Sequence, residues 1–216
     1  MKTNSKVAYD FIKNKILYCD YQPGQLLSER EIVEELNMSR TPVRQALNTL
    51  AGENLLTIIS NKGIQVTQVS EKKIKDVREL RIFLERLIIE KAVENISDKD
   101  YYILDELQKK LAEDVEKEDA KIVFKAGNSI HLFISEIADN ETLTNLLRIL
   151  RNDSSRGYIF FLRNKFERGS DEQRGKIKDS LRESHEAILQ ALREKSKEKA
   201  LIAIEHDINV FNEFIF

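Results

Sequence analysis

Two groups of residues in this chain have the types and spacing to do chemistry. The first is SRTPVR, residues 39 to 44. In a helix opening at Ser39, Arg40, Thr41 and Arg44 stand on the side of the first turn away from Val43 and Leu47. An arginine fork can bind guanine O6 and N7 bidentately or clamp a phosphate. A helix N-terminus, with the Ser39 and Thr41 hydroxyls, can bind phosphate oxygens. Arg30, in the segment before, would add a phosphate contact. Lys62 and Gly63 would form the tip of a hairpin that reaches the minor groove, the glycine permitting close backbone approach. The second group is the set of three histidines, His131, His185 and His206, each on a different predicted helix. Three imidazoles converging inside a helical bundle can hold Zn²⁺, Ni²⁺ or a similar ion with a position left open.

The elements that must position the first group are legible in residues 1–70. Val7, Phe11, Ile12 and Ile16 define a helix around Lys6 to Tyr18, and Pro23-Gly24 marks a turn. Ser28 and Glu31 form a capping box for a short helix ending at Leu36. Asn37-Met38 breaks that helix. Ser39 caps a third, with Pro42 in its first turn, where a missing N–H is harmless, and Val43, Ala46, Leu47 and Leu50 on its inner face. Apolar stretches on either side of Asn61-Lys62-Gly63 complete the unit as a β-hairpin. Three helices and a hairpin make a winged helix-turn-helix.

From residue 43 onward the chain has no proline, so long helices are permitted. Ile74, Val77, Leu80, Leu84, Leu87 and Ile88 recur at helical spacing, as do Leu104, Leu107, Leu111 and Val115, and each set reads as one buried face. Further helices are predicted at 119–138, 140–165, 173–194 and 197–215. The fold class is therefore mainly α: a winged helix-turn-helix over 1–70, then an all-α bundle of about six helices over 71–216, with a short connection near Val69 to Lys72.

Composition narrows the function classes. With 41% hydrophobic and 33% charged residues the chain is ordinary globular material. No run reaches the 18 apolar residues of a membrane span, and the N-terminus lacks a signal-peptide core, so a cytoplasmic location is expected. The lone Cys19 excludes an intrachain disulfide and a thiolate metal cluster, and reads as a packing residue. The net charge is −2, and residues 1–70 hold 8 Lys+Arg against 7 Asp+Glu. Any attraction for DNA must therefore be local.

The run from Ile16 to Val66 resembles the DNA-binding domain of the GntR family of bacterial regulators. It carries PG followed by L and SE, the SRTPVR block, an AL..L register and a KG wing. The resemblance implies DNA contacts from Arg30, Arg40, Thr41 and Arg44, with Lys62 and Gly63 in the wing. Gln45 stands where that family usually has Glu, and Asn54 where Gly is usual before the wing; Asn tolerates a left-handed backbone. Residues 72 to 212 are similar to the FCD ligand-binding domain of the FadR-like branch of that family. The matching features are RIFLE at 81–85, IH at 130–131, ADN..L at 138–143, SHEAIL at 184–189 and the late His206. This implies a metal on His131, His185 and His206 that helps to hold a carboxylate effector, with Arg81 assisting. The family's aspartate four residues before the first histidine is replaced by Gly127, which leaves Asn128 as a neutral substitute ligand beside water or the effector's own carboxylate.

The reading is a homodimeric, operator-binding transcription regulator, a repressor, whose helical unit binds a small organic acid and a divalent metal. Two recognition helices on a pseudopalindrome supply affinity that one nearly neutral module lacks. Two rivals stay open. In a direct metal sensor, the ion itself is the signal. A helical metallohydrolase needs a general base near the metal, and no HExxH spacing is present.

Overall fold

The computed structural model describes residues 3–59 and 63–215, with side chains described as far as residue 210. Lys62 lies outside the described residues. The chain divides into two compact units, Met1–Ser70 and Glu71–Phe216.

The first unit holds helices α1 (Asn4–Leu17), α2 (Glu29–Leu36) and α3 (Arg40–Gly52), with strands β1 (Leu26–Leu27), β2 (Leu56–Ile59) and β3 (Gly63–Val66). α2 opens on the Ser28/Glu31 capping box and stops at Asn37, whose φ of 49° ends the helix in the left-handed region. Ser39 has the extended backbone of an N-cap, but its hydroxyl makes no cap hydrogen bond. The predicted cap is thus a positional one. Ile12, Ile16, Ile32, Val43, Leu47, Leu50, Leu56 and Ile64 bury themselves in one core, each apolar stripe facing the others. Full burial of such a side chain contributes about 1.5–3 kcal/mol.

The sheet has three antiparallel strands in the order β1-β3-β2, with Leu27 opposite Ile64 and Ile58 opposite Ile64 from the other side. β1 has no counterpart in the sequence reading, because two residues carry no alternation to detect. Two special backbone positions hold the wing. Asn54 has φ 58°, and Gly63 has φ 104° with the Leu27 carbonyl oxygen 2.9 Å from where a Cβ would stand.

The second unit contains α4 (Glu71–Asn95), α5 (Asp98–Asp114), a 3₁₀ turn (Val115–Lys117), α6 (Ala120–Ile137), α7 (Glu141–Arg168), α8 (Asp171–Arg193) and α9 (Lys197–Ile215). Caps define the ends: Asp119 accepts from the Lys121 and Ile122 amides, Asn140 from Leu143, and Ser170 with Gln173 forms a capping box. α6 is apolar along most of its length and packs against α4, α5 and α7, while α8 pairs with α9 and α9 with α4. One expectation fails on α4. Leu80 and Leu87 are exposed rather than buried, and with the exposed Phe83 they form a second apolar stripe about a quarter-turn round the helix from Val77, Leu84 and Ile88. Together the two stripes make one wide apolar band, and spacing alone does not separate its buried edge from its exposed one. Among the described residues no helix is long and apolar enough to cross a membrane.

Gly63 should resist replacement. Gly63→Ala is expected to destabilise the first unit by about 1–3 kcal/mol, since it meets both a backbone oxygen and a left-handed φ; urea unfolding of the purified protein measures this.

Candidate functional site

α3 presents the first group of residues. Val43, Ala46, Leu47 and Leu50 face the core, so Ser39, Arg40, Thr41 and Arg44 are left on the exposed side. Since the Ser39 hydroxyl does not cap, the first-turn amides of α3 are not satisfied by it. Together with the dipole they make an anion-binding end. Arg30 is exposed on α2 and donates to Glu34 (2.7 Å), and Arg44 pairs with Glu29. Gly63 is exposed at the start of β3.

The second group converges only in part. His131 on α6 and His185 on α8 lie in a buried cluster, with ring centroids 5.2 Å apart. His206 does not join them: it is exposed on α9. Its neighbour Asp207 takes the place. α9 buries Ala200, Ala203, Ile204 and Ile208, and residue 207 stands four after Ala203 and three after Ile204, on that same stripe. Residue 206 is turned 100° away toward solvent. The apolar stripe of α9 was the signal that identifies Asp207.

Each member of the cluster is held by a further contact. His131 Nδ1 lies 2.6 Å from Glu85 Oε2, and its Nε2 lies 3.0 Å from Asp207 Oδ2. His185 Nδ1 is 2.8 Å from the Leu181 carbonyl oxygen and 3.2 Å from Asp207 Oδ1, to which the Ser184 hydroxyl also donates (2.7 Å). Arg81 Nε donates to Glu85 Oε1 at 2.8 Å. Arg151 Nε donates to Asn128 Oδ1 at 2.5 Å, and its Nη1 is 3.6 Å from Glu85 Oε1. Asn128 therefore spends its oxygen on Arg151 instead of the histidines. Glu85, Arg151 and the aspartate that replaces His206 were not singled out from the sequence.

The electrostatics follow from burial. Burial opposes ionisation of Glu85, which is 2% exposed, but Arg81, His131 and Arg151 outweigh it and hold the carboxyl well below its ordinary range. Asp207 is held low in the same way, burial being overcome by His185, His131 and the Ser184 hydrogen bond. Burial lowers Arg151 to about 10, with repulsion from Arg81 adding to it. Burial also lowers His185, which favours its neutral ring. With Nδ1–H directed at Leu181, the bare nitrogen of His185 is Nε2.

That atom makes the case for a ligand. His185 Nε2 is buried with no hydrogen-bond partner, and so is Arg151 Nη1. Both residues line a cavity of about 40 Å³, with Arg81, Gly127, His131, Tyr158 and Asp207 among the other walls. His185 Nε2 sits 3.2 Å from where a Cβ on Gly127 would stand, so the missing side chain keeps that space open. His131, His185 and Asp207 each offer a ligand atom within 4.8 Å of the others. If Nδ1 of His131 donates to Glu85, its Nε2 lone pair faces a carboxylate oxygen at 3.0 Å, an arrangement that needs a proton or a cation between them. The donor set of two imidazoles and one carboxylate, each oriented by a hydrogen bond, fits a divalent ion such as Zn²⁺.

Residues 4–66 match the model of the bacterial regulatory proteins of the gntR family, and residues 76–209 match the FCD domain. The Escherichia coli transcriptional regulator McbR is 28% identical over 64% of this chain and 63% of its own length. The gluconate operon transcriptional repressor of Bacillus subtilis is 35% identical over 42% of this chain and 37% of its own length. The matches span less than two thirds of the length of such curated relatives. In three dimensions the chain is similar to E. coli McbR/YncC with a TM-score of 0.77, covering 100% of this chain and 96% of that one at 24% identity. That likeness shows the fold.

Asp207 and His206 give a sharp contrast. Asp207→Ala is expected to cost about 3 kcal/mol, because it strips a buried carboxylate from two imidazoles, whereas His206→Ala should stay within about 0.5 kcal/mol as a surface change. Thermal unfolding of the two variants side by side checks this.

Proposed function

Because the chain belongs to the GntR family of bacterial regulatory proteins and carries the FCD domain of that family's transcriptional regulators, we propose that it is a homodimeric, operator-binding repressor released by a small carboxylate effector. The observation that carries the DNA half of this reading is the first turn of α3, where Arg40, Thr41 and Arg44 stand exposed. Arg30 adds a cation on α2, and the wing is to place Lys62 and Gly63 at the minor groove. The repressor sign is carried by likeness to a relative of that name.

The effector half rests on the cavity of the second unit. Arg151 Nη1 is a buried donor without an acceptor, and a carboxylate entering the cavity would supply one. Arg81 is already tied to Glu85. It would act by keeping that carboxylate in place, and Arg151 is the better candidate to meet the effector. His131, His185 and Asp207 would hold a divalent metal, which when bound supplies positive charge and an open position for the effector's oxygen. The second reading, in which the ion alone is the signal, rests on the same three residues.

The dimer has its own support. Leu80, Phe83 and Leu87 on α4 and Leu146 and Ile149 on α7 are exposed apolar side chains on two helices that pack together. Exposed apolar side chains of this kind on two neighbouring helices are what a second copy would cover. Since α4 begins directly after Ser70 and carries Arg81 and Glu85, a ligand that shifts α4 would act on the placement of the DNA-binding units.

Two measurements test the proposal. Fluorescence anisotropy with a duplex from the chain's own upstream region should show selective binding that Arg40→Ala with Arg44→Ala weakens at least 100-fold. Addition of a small carboxylate together with Zn²⁺ should release the duplex, while Zn²⁺ alone should do so only if the ion is the signal. Unchanged binding by the double variant would refute the recognition helix. In sedimentation, Phe83→Glu should convert dimer to monomer at micromolar protein; a persistent dimer would place the interface elsewhere.

A further inference from the structure

On the exposed side of α3, Arg44 is held from a neighbouring helix. Glu29, at the first position of α2, grips it along one edge: Nε lies 3.3 Å from Oε2, and Nη2 lies 3.1 Å from Oε1 and 3.2 Å from Oε2. Of the five N–H donors of a guanidinium, this uses the Nε hydrogen and one Nη2 hydrogen. Both Nη1 hydrogens and the second Nη2 hydrogen remain, and they form the end-on fork. The side chain of Arg44 is still 66% exposed after pairing, against 28% for Glu29. The carboxylate is thus the more covered partner, and the arginine stays largely open to solvent.

Resting on the reading that α3 enters the major groove, we infer that Glu29 is a specificity-determining positioning residue: it aims the end-on fork of Arg44 at a guanine edge. Guanine O6 and N7 accept from an arginine fork, and that contact discriminates only when the fork is presented in one orientation. Glu29 is suited to the task because the capping box fixes the backbone around it: Ser28 accepts from Arg30 N, and Glu31 accepts from Ser28 N. The pairing crosses from α2 to α3, so it also ties the arginine to the rest of the motif. Charge adds a second effect. The carboxylate cancels much of the attraction of Arg44 for phosphate, which penalises contact with an arbitrary duplex more than contact with an uncharged base edge. Arg30 shows the contrast. Its partner Glu34 lies one turn away on the same helix and meets it through a single Nε bond, with both side chains largely exposed. That is an ordinary surface pair of adjacent turns.

The test uses the full chain. Duplexes selected by the wild type from a random pool give its preferred site. Affinities for that site, for its single-base-pair variants and for a random duplex are then measured at two salt concentrations. The proteins are the wild type, Glu29→Ala, Glu29→Gln, Arg44→Ala and the Glu29→Ala/Arg44→Ala double variant, each first confirmed as folded by its melting curve. Glu29→Ala is expected to lose about tenfold in discrimination at the base pair whose recognition Arg44→Ala also loses. Its affinity for the random duplex should hold or rise severalfold, and the double variant should discriminate no worse than Arg44→Ala. Glu29→Gln, which keeps the shape and an acceptor but not the charge, should fall between wild type and Glu29→Ala. Equal weakening on every duplex, or intact discrimination in Glu29→Ala, would overturn the proposal and leave Glu29 a structural residue of α2. A wild type that selects no sequence would sink the recognition-helix reading itself, and this inference with it.

Discussion

Glu85 is the constraint around which the second unit is arranged. A carboxylate that is 2% exposed has lost nearly all of its hydration, and it persists as an anion only where cations and donors replace the water. Arg81 from the same helix, Arg151 from α7 and His131 from α6 do so. His131 then passes the demand to Asp207 on α9, and Asp207 engages Ser184 and His185 on α8. One buried charge therefore organises five helices. A core of leucines at those positions would hold the helices together at less cost, because buried ion pairs seldom outweigh their desolvation. The network leaves two buried atoms, His185 Nε2 and Arg151 Nη1, without a hydrogen-bond partner on residues that line a cavity, and this supports the proposed ligand site.

The first unit solves the opposite problem. Its charges are almost balanced, with 8 Lys+Arg against 7 Asp+Glu, so long-range attraction to DNA is small. Its three arginines lie on α2 and α3, and two of them are paired with glutamates of α2. A surface of this kind is expected to bind an arbitrary duplex only loosely. In the proposed function it would favour a sequence that returns hydrogen bonds for the desolvation of those pairs, and two copies reading two half-sites would multiply that preference.

Much of this was legible in the sequence, and the failures have physical causes. The helices and their ends follow from local chemistry: the capping box at Ser28, Pro42 in the first turn of α3, Asn54 in the left-handed region and the absence of proline after it. Inward faces followed wherever one apolar stripe was present. On α4 two apolar stripes adjoin, so helical spacing alone assigns the exposed Leu80 and Leu87 to the core. β1 is too short to leave a periodic signal. In the site, residue type misled: three histidines suggested three ligands, yet His206 is one residue out of phase with the buried stripe of α9, and Asp207 is in phase. Gly127 marked a missing carboxylate, but only tertiary packing shows that α9 brings one from another direction. Glu85 is likewise invisible as a partner of His131, since the two are 46 residues apart in sequence.

Asp207, with His131 and His185, is proposed to form the ligand-receiving centre of the second unit. Metal content and calorimetry on chelator-stripped protein test it most directly, with Zn²⁺ titrated into the wild type, His206→Ala and Asp207→Ala. The account predicts one ion per chain in the wild type and in His206→Ala, and a loss of at least tenfold in affinity in Asp207→Ala. An Asp207→Ala protein that binds Zn²⁺ as tightly as the wild type, or a His206→Ala protein that loses it, would contradict the account.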